Sequence, residues 1–348
     1  MQVILLFGGT SDERLVSVAS AQNVLSIIPT MTPWFIAPDG AVSEVTADEL
    51  AAHKRPFEVQ FVAVHRPFAA SMHEAVSHVA GRSIFIALHG SEGEDGTLQR
   101  ILEHAGIPFT GSGSKASAMC FDKIAAKKRV AEKGVPVATQ LVLDTSSEGT
   151  LYASLADFAR THTKIVVKPT AGGSSIGLHI VDDLRMLGTV AKAVIGTGLA
   201  YMAEPFITGR EITVGVAWHD GALSAIATSE VLVQQGRAFD YQGKYLGDGT
   251  KEVTPAELTN VEAQACLTLA VGAHRDLECF GYSRTDMILT PKGPVYLETN
   301  TLPGLTKASF VPQQLAYRGI TLGDFVRQQL ELALKRPSGG REQAAPLH

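Results

Sequence analysis

The chain is poor in cysteine, has no block of positive charge and no long apolar run, and each shortage argues against a class of function. Cys120, Cys266 and Cys279 are an odd number in 348 residues and include no Cys-x-x-Cys pair. That speaks against a disulfide framework and against a structural zinc site. No stretch of about 18 consecutive apolar residues occurs, so a membrane-spanning helix is not expected. The formal charge of -5, without any Lys/Arg cluster, leaves no electrostatic footprint for nucleic acid. The apolar run Val3–Phe7 is short and lacks a basic segment before it. It reads as a buried strand rather than a signal peptide, and a cytoplasmic address is expected. Gly8-Gly9 follows that strand, but the G-x-G-x-x-G spacing of a dinucleotide fold is missing, as is the Gly-Lys-Ser/Thr of a Walker A loop.

What remains is a globular chain long enough for two or three compact units. From 1 to 118, apolar strands end at polar turns and lead into helical patterns: Val3–Phe7, Trp34–Ala37 before Pro38-Asp39-Gly40, and Ile84–Leu88 before His89-Gly90. This order predicts an α/β domain with a parallel sheet that presents polar residues at its strands' carboxyl ends. Region 119–205 opens with a helix expected over Phe121–Lys133, stopped by Gly134 and Pro136. A strand Ile165–Pro169, a loop Thr170–Ser175 and a return strand Ile176–Val181 follow. In 206–334 the pattern predicts strands at Glu211–Ala217 and Ala222–Ala227, a polar loop 234–253 and a long helix from Pro255 to Phe280. Strands Ser283–Leu289 and Val295–Glu298 complete that region. Residues 335–348 are Pro/Gly-rich and polar, and a frayed tail is expected there. An extra strand and helix are expected within 53–82, with no chemistry attached. His65, His73 and His78 do not share a helix face and are not read as metal ligands.

Two segments carry chemistry. In Val166–Gly177 (VVKPTAGGSSIG), a lysine at a strand end precedes a Gly/Ser-rich turn, which offers a cation and free backbone N–H groups to a phosphate chain. A plain hairpin turn has the same composition, so this feature alone does not decide. The second segment pair is Arg284-Thr285-Asp286 and Glu298-Thr299-Asn300, on strands that flank a turn between Pro291 and Pro294. If the strands pair, alternation sets Glu298 and Asn300 on one face beside Asp286. Three oxygen donors without His or Cys suit a hard cation, magnesium above all. A solvated sheet face is the alternative, but Asp286 precedes the apolar run Met287-Ile288-Leu289, where a charge needs a partner.

With these segments in view, the chain resembles the D-alanine–D-alanine ligase family of the ATP-grasp superfamily. The matching stretches, in order, are FGGTSDER (7–14), FIALHGSEGEDGTLQ (85–99), TGSG (110–113), FDK (121–123), VVKP with GGSSIG, EPFITGREITV (204–214), FDYQGKYL (239–246), GYSRTDM (281–287) and ETNTLPGLTKASFVP (298–312). The resemblance implies an α+β ATP-grasp architecture: an N-terminal parallel-sheet domain plus a two-lobed ATP-grasp unit with antiparallel sheets. It implies ATP held at its phosphates by Lys123, Lys168, Ser174 and Ser175, at adenine by Glu204 and the backbone of Ile207, and at ribose by Glu211. Asp286, Glu298 and Asn300 would hold two magnesium ions, with manganese as a substitute. Glu13, His89 and Ser174 would receive the first amino acid. Arg284 and the Gly304 N–H would stabilise the oxyanion, and Ser309 would take the second carboxylate. Lys244 and Tyr245 would ride on a lid, with Tyr245 in a network with Glu13 and Ser174. The family also suggests a homodimer and a place in peptidoglycan precursor synthesis.

The chain departs from the family's usual pattern at three places. Leu15 replaces an acid, Phe310 stands where leucine is usual beside the second-amino-acid pocket, and Thr170-Ala171-Gly172-Gly173 replaces a more charged approach to the serines. Three readings follow: synthesis of D-alanyl-D-alanine, a ligase of the same class with another amino-acid or amine acceptor, and a nucleotide-binding protein without catalysis. The metal ligands, both lysines and Arg284 argue against the third, because a sensor needs no oxyanion site.

Overall fold

The computed structural model describes residues 2–173, 175–233 and 250–336. It contains three sheets. The first has the order β3-β2-β1-β4, from β1 (Val3–Gly8), β2 (Thr32–Ile36), β3 (Val42–Glu44) and β4 (Ser83–Ile86). Strand β1 runs parallel to β2 and β4, while β3 closes the edge antiparallel. All six residues of β1 are buried, as expected of a central parallel strand covered on both faces. Helix Arg14–Ile27 packs on β1. Helix Leu322–Lys335, from the far end of the chain, packs on β4 and on helix Arg14–Ile27. One apolar core therefore joins Phe7, Phe35 and Phe85 of this sheet to Leu302, Leu305, Val311 and Phe325.

The second sheet, β5-β8-β6-β7, is antiparallel throughout: β5 (Leu141–Val142), β6 (Ile165–Pro169), β7 (His179–Val181) and β8 (Tyr201–Pro205). The return strand expected from Ile176 begins only at His179. Ser175 and Gly177 have φ of 56° and 74°, and a left-handed backbone cannot join a ladder.

The third sheet has the order β11-β10-β9-β12-β13: β9 (Arg210–His219), β10 (Ala222–Val233), β11 (Thr250–Val253), β12 (Tyr282–Thr290) and β13 (Gly293–Asn300). Residues 250–253, assigned to a polar loop by the sequence, thus pair with β10 as a strand.

Three further expectations change. The helix expected over Phe121–Lys133 is two helices, Ser114–Phe121 and Lys123–Ala131. Asp122 breaks them because it takes an extended conformation and its Oδ1 accepts from Ile124 N and Ala125 N at 2.9 and 3.2 Å. Helix Lys123–Ala131 buries Ala126 and Val130 in the core of the third sheet. The long helix starts at Asn260, not Pro255, because Thr259 and Glu262 form a reciprocal cap, and it ends at Asp276. In 53–82 a short helix, Met72–Ala75, forms, but no strand does; the single ladder contact is a bridge from Val42 to Ala69.

The frayed tail expected from 335 is ordered at its first two residues. Lys335 closes a helix, and the Arg336 guanidinium donates to Gly111 O and stacks 4.3 and 4.4 Å from the ring centres of Phe109 and Phe280. Residues 337–348 lie outside the described residues. No helix among the described residues is long and apolar enough to cross a membrane.

Candidate active site

A cavity opens where the carboxyl ends of the first sheet meet the β12–β13 hairpin. Its near wall is built on glycine. Gly8, at φ 95°, ends β1 so close to β2 that a Cβ would lie 2.3 Å from Ile36 O, so no other residue fits. The chain then turns into helix Arg14–Ile27, with half-buried Glu13 at its cap position. Glu13 Oε2 lies 3.0 Å from where a Cβ on Gly90 would sit and 2.9 Å from where one on Gly173 would sit. The acid thereby touches both the β4 loop and the glycine turn after β6.

His89 is buried, and both its ring nitrogens are used. Nδ1 donates to Leu302 O at 2.8 Å, and Nε2 accepts from Ser20 Oγ at 2.9 Å, while Ser20 Oγ itself accepts from Leu305 N. The Leu302 carbonyl fixes the proton on Nδ1, and burial keeps the ring neutral, so Nε2 is left as the acceptor. Burial, aided by the nearby Arg284 charge, lowers the His89 pKa to about 4. Glu94, on the same loop, accepts from Gly90 N at 2.9 Å. Burial and the charge of Glu13 push its carboxyl up to about 8.

The far wall is the hairpin. Arg284 lies opposite Asn300, and Asp286 opposite Glu298. Arg284 grips Asp286 with both arms of its guanidinium, Nε to Oδ1 at 2.9 Å and Nη2 to Oδ2 at 2.8 Å. Thr213 on β9 also donates its hydroxyl to Asp286. Asn300 Oδ1 accepts from Leu302 N at 2.9 Å, which fixes the turn leading to Gly304. A Cβ on Gly304 would meet Ser309 Oγ at 2.7 Å, so any larger residue there would displace the Ser309 hydroxyl. Ser309 Oγ accepts from Thr306 N at 3.1 Å. Lys123 joins the walls, its Nζ lying 2.5 Å from Gly172 O and 3.3 Å from Glu298. Among the described residues no three His, Cys, Asp or Glu side chains gather as a metal set. Two carboxylates and one amide on paired strands still make an all-oxygen donor set that fits a hard cation.

A second ionic cluster stands behind this cavity. Glu204 on β8 pairs with Lys168 on β6 at 2.7 Å and with Lys127 on helix Lys123–Ala131. Burial would raise the Glu204 carboxyl, but the two ammonium charges outweigh it and hold it below the usual carboxylate range. Burial, with the charge of Lys168, lowers Lys127 to about 8.

Of the residues singled out from the sequence, Glu13, His89, Lys123 and Glu211 line the cavity, as do Arg284, Asp286, Glu298, Asn300, Gly304, Ser309 and Phe310. Lys168, Ser175, Glu204 and Ile207 do not. Ser174, Lys244, Tyr245 and residues 234–249 of the lid expected over 234–253 lie outside the described residues. The sequence reading missed Lys127, Glu94, Thr213 and Phe57. Lys127 was findable, because it stands four residues after Lys123 on one helix. The cysteines surprise in another way: Cys120 and Cys279, 159 positions apart, bring their sulfurs within 3.6 Å as free thiols.

Comparison with known proteins agrees along nearly the whole chain. Residues 2–112 match the model described as D-ala D-ala ligase N-terminus, and 130–331 match D-ala D-ala ligase C-terminus. A D-alanine–D-alanine ligase of Leptospira interrogans is 32% identical over 353 residues, covering 96% of this chain and 99% of that protein. One from Nocardia farcinica is 36% identical over 363 residues, covering 98% and 99%. Among solved structures, the VanG D-Ala:D-Ser ligase from Enterococcus faecalis superposes with TM-score 0.78 at 27% identity, over 95% of this chain and 99% of that one. The D-alanine–D-alanine ligase from Coxiella burnetii gives 0.77 at 25%, over 97% and 94%.

Proposed function

The chain belongs to the D-alanine–D-alanine ligase family, and from that premise we propose that it joins two D-alanines at the expense of ATP, releasing ADP and phosphate, for peptidoglycan precursors made in the cytoplasm. The observation that carries this reading is one cavity holding an acid at a helix start, a lysine at a glycine turn, and an arginine with three oxygen donors on paired strands.

In the first step a carboxylate oxygen of one D-alanine attacks the γ-phosphorus of ATP, and the bond to the β–γ bridging oxygen breaks to leave ADP. Glu13 is placed to pair with that D-alanine's ammonium. Lys123, fixed between Gly172 and Glu298, holds its cation where the phosphates approach the glycine turn. Asp286, Glu298 and Asn300 are the groups we assign to magnesium, which when bound neutralises phosphate charge. The family resemblance supports nucleotide contacts from Lys168, Ser175, Glu204, Ile207 and Glu211. In the second step the deprotonated amine of another D-alanine attacks the acyl carbon, and phosphate departs as the tetrahedral oxyanion collapses. Arg284 and the Gly304 N–H are assigned to that oxyanion, and Ser309 to the second carboxylate. With both nitrogens engaged, His89 acts by tying the β4 loop to the Leu302 turn rather than by hydrogen-bonding substrate. The family resemblance supports a homodimer.

A different acceptor amino acid remains a second reading, because Phe310 lines the cavity beside Ser309. Phosphate release with ATP and a panel of D- and L-amino acids tests both readings. Release with D-alanine alone supports the first; release only when another amino acid accompanies D-alanine supports the second. Release with neither would overturn the ligase assignment.

A further inference from the structure

We propose that Phe57 limits the side-chain size of the first amino acid admitted to the cavity, an inference that rests on reading the cavity as an amino-acid ligase site. Phe57 comes from 53–82, the segment to which the sequence attaches no chemistry. The structure shows its first part, 53–61, pinned at both ends. Gln22 Nε2 donates to Leu50 O and His53 O at 2.8 and 2.6 Å, fixing its start. Phe61 is buried against Phe7 and Phe35, with ring centres 5.8 and 5.0 Å away, and stacks edge-on to His53 at 5.6 Å. Those two phenylalanines lie at the carboxyl ends of β1 and β2, the edge from which the chain proceeds to Glu13.

Between the pins, Glu58 N and Val59 N both donate to Arg55 O, at 3.2 and 3.0 Å, closing a tight turn that starts with Pro56 and Phe57. Lys54, Arg55, Glu58 and Val59 around it are exposed, whereas Phe57 is half-buried and lines the cavity. Phe61, not Phe57, belongs to the hydrophobic core of the sheet. A large apolar ring held by a fixed turn in the lining of the cavity serves as a wall. Excluding a larger side chain needs such bulk, because a pocket that merely contacts a methyl group discriminates weakly. Phe61 ties this turn to the ends of β1 and β2, beside the stretch that leads on to Glu13, and on that ground we assign the wall to the amino acid whose ammonium Glu13 receives.

The test is product formation by the full-length enzyme from mixtures of D-alanine with D-norvaline, with the order of residues in each dipeptide read by tandem mass spectrometry. The parent is measured first with D-alanine alone; no dipeptide there overturns the ligase reading, and this inference with it. Given an active parent, Phe57→Ala should raise kcat/KM for D-norvaline relative to D-alanine by at least about tenfold. The change should sit mainly in KM, with D-norvaline at the amino end of the product. Phe57→Leu should fall between, and Phe57→Trp should tighten selectivity, so the inference stays testable if the alanine variant folds poorly. An unchanged ratio in Phe57→Leu and Phe57→Trp, or D-norvaline gained only at the carboxyl end, would overturn the role while leaving the ligase reading intact.

Discussion

Lys127–Glu204–Lys168 and Arg284–Asp286 are built from the same kinds of charge, yet their surroundings set them to different work. In the first cluster the Lys127 and Glu204 side chains are 0% and 4% exposed, with Lys168 at 12% on its open side, and the Lys127–Glu204 pair clamps helix Lys123–Ala131 onto β8. In the second, Arg284 and Asp286 are 18% and 14% exposed and line the cavity. A sealed pair is a fastening whose loss strands a buried charge. A pair at a cavity wall can exchange partners with what enters, so its loss should be felt in chemistry more than in stability.

The largest expected effect falls on the open cluster. Asp286→Ala should abolish turnover and weaken Mn2+ binding, measured by electron paramagnetic resonance, while unfolding free energy changes by no more than about 1 kcal/mol. Undiminished metal binding would remove Asp286 from the donor set. In the sealed cluster the loss should appear in stability as well as in nucleotide binding. Glu204→Leu leaves two lysines unpaired and should lower unfolding free energy by about 3–5 kcal/mol; adding Lys127→Met should restore much of that loss. If denaturant melts show the double variant no better than the single, the clamp is not electrostatic. Arg284→Ala comes next, with kcat reduced about 10²- to 10³-fold, the cost of one oxyanion donor. Near-normal turnover would exclude it from the reaction.

The smallest effect is on pH. His89, at the cavity wall, and His274, in the core, are both held neutral by burial, with pKa values near 4 and 3. Each is lowered on folding, so the unfolded chain binds more protons below pH 6.5, and stability falls with acidification from there toward pH 4. At pH 5 the penalty is about 2 kcal/mol for each group. His89→Gln should flatten that slope in melts at pH 7 and pH 5; an unchanged slope would mean that His89 does not titrate with unfolding.

What was legible in the sequence followed from period and punctuation. The alternation of Arg284, Asp286, Glu298 and Asn300 predicted a paired hairpin with its oxygen donors together, and the register bears this out. Strand β1 and its glycine ending were equally plain. What was hidden depended on contacts between distant positions. The family resemblance matches Glu204 to adenine, but nothing in EPF shows that Lys127 and Lys168 close on it. The 53–82 segment has no period because its order comes from Gln22, His53 and Phe61 rather than from a ladder. The helix break at Asp122 was written in the residue type, but apolar periodicity on either side masked it.

If the cavity works as proposed, a D-alanine carboxylate oxygen attacks ATP there and leaves carbon with the phosphate. D-alanine labelled with 18O in its carboxylate follows that oxygen. One 18O per turnover should appear in the released inorganic phosphate, detected by the isotope shift of its 31P resonance. Dipeptide formed with unlabelled phosphate would contradict transfer through an acyl phosphate, and with it the roles assigned to Arg284 and the hairpin.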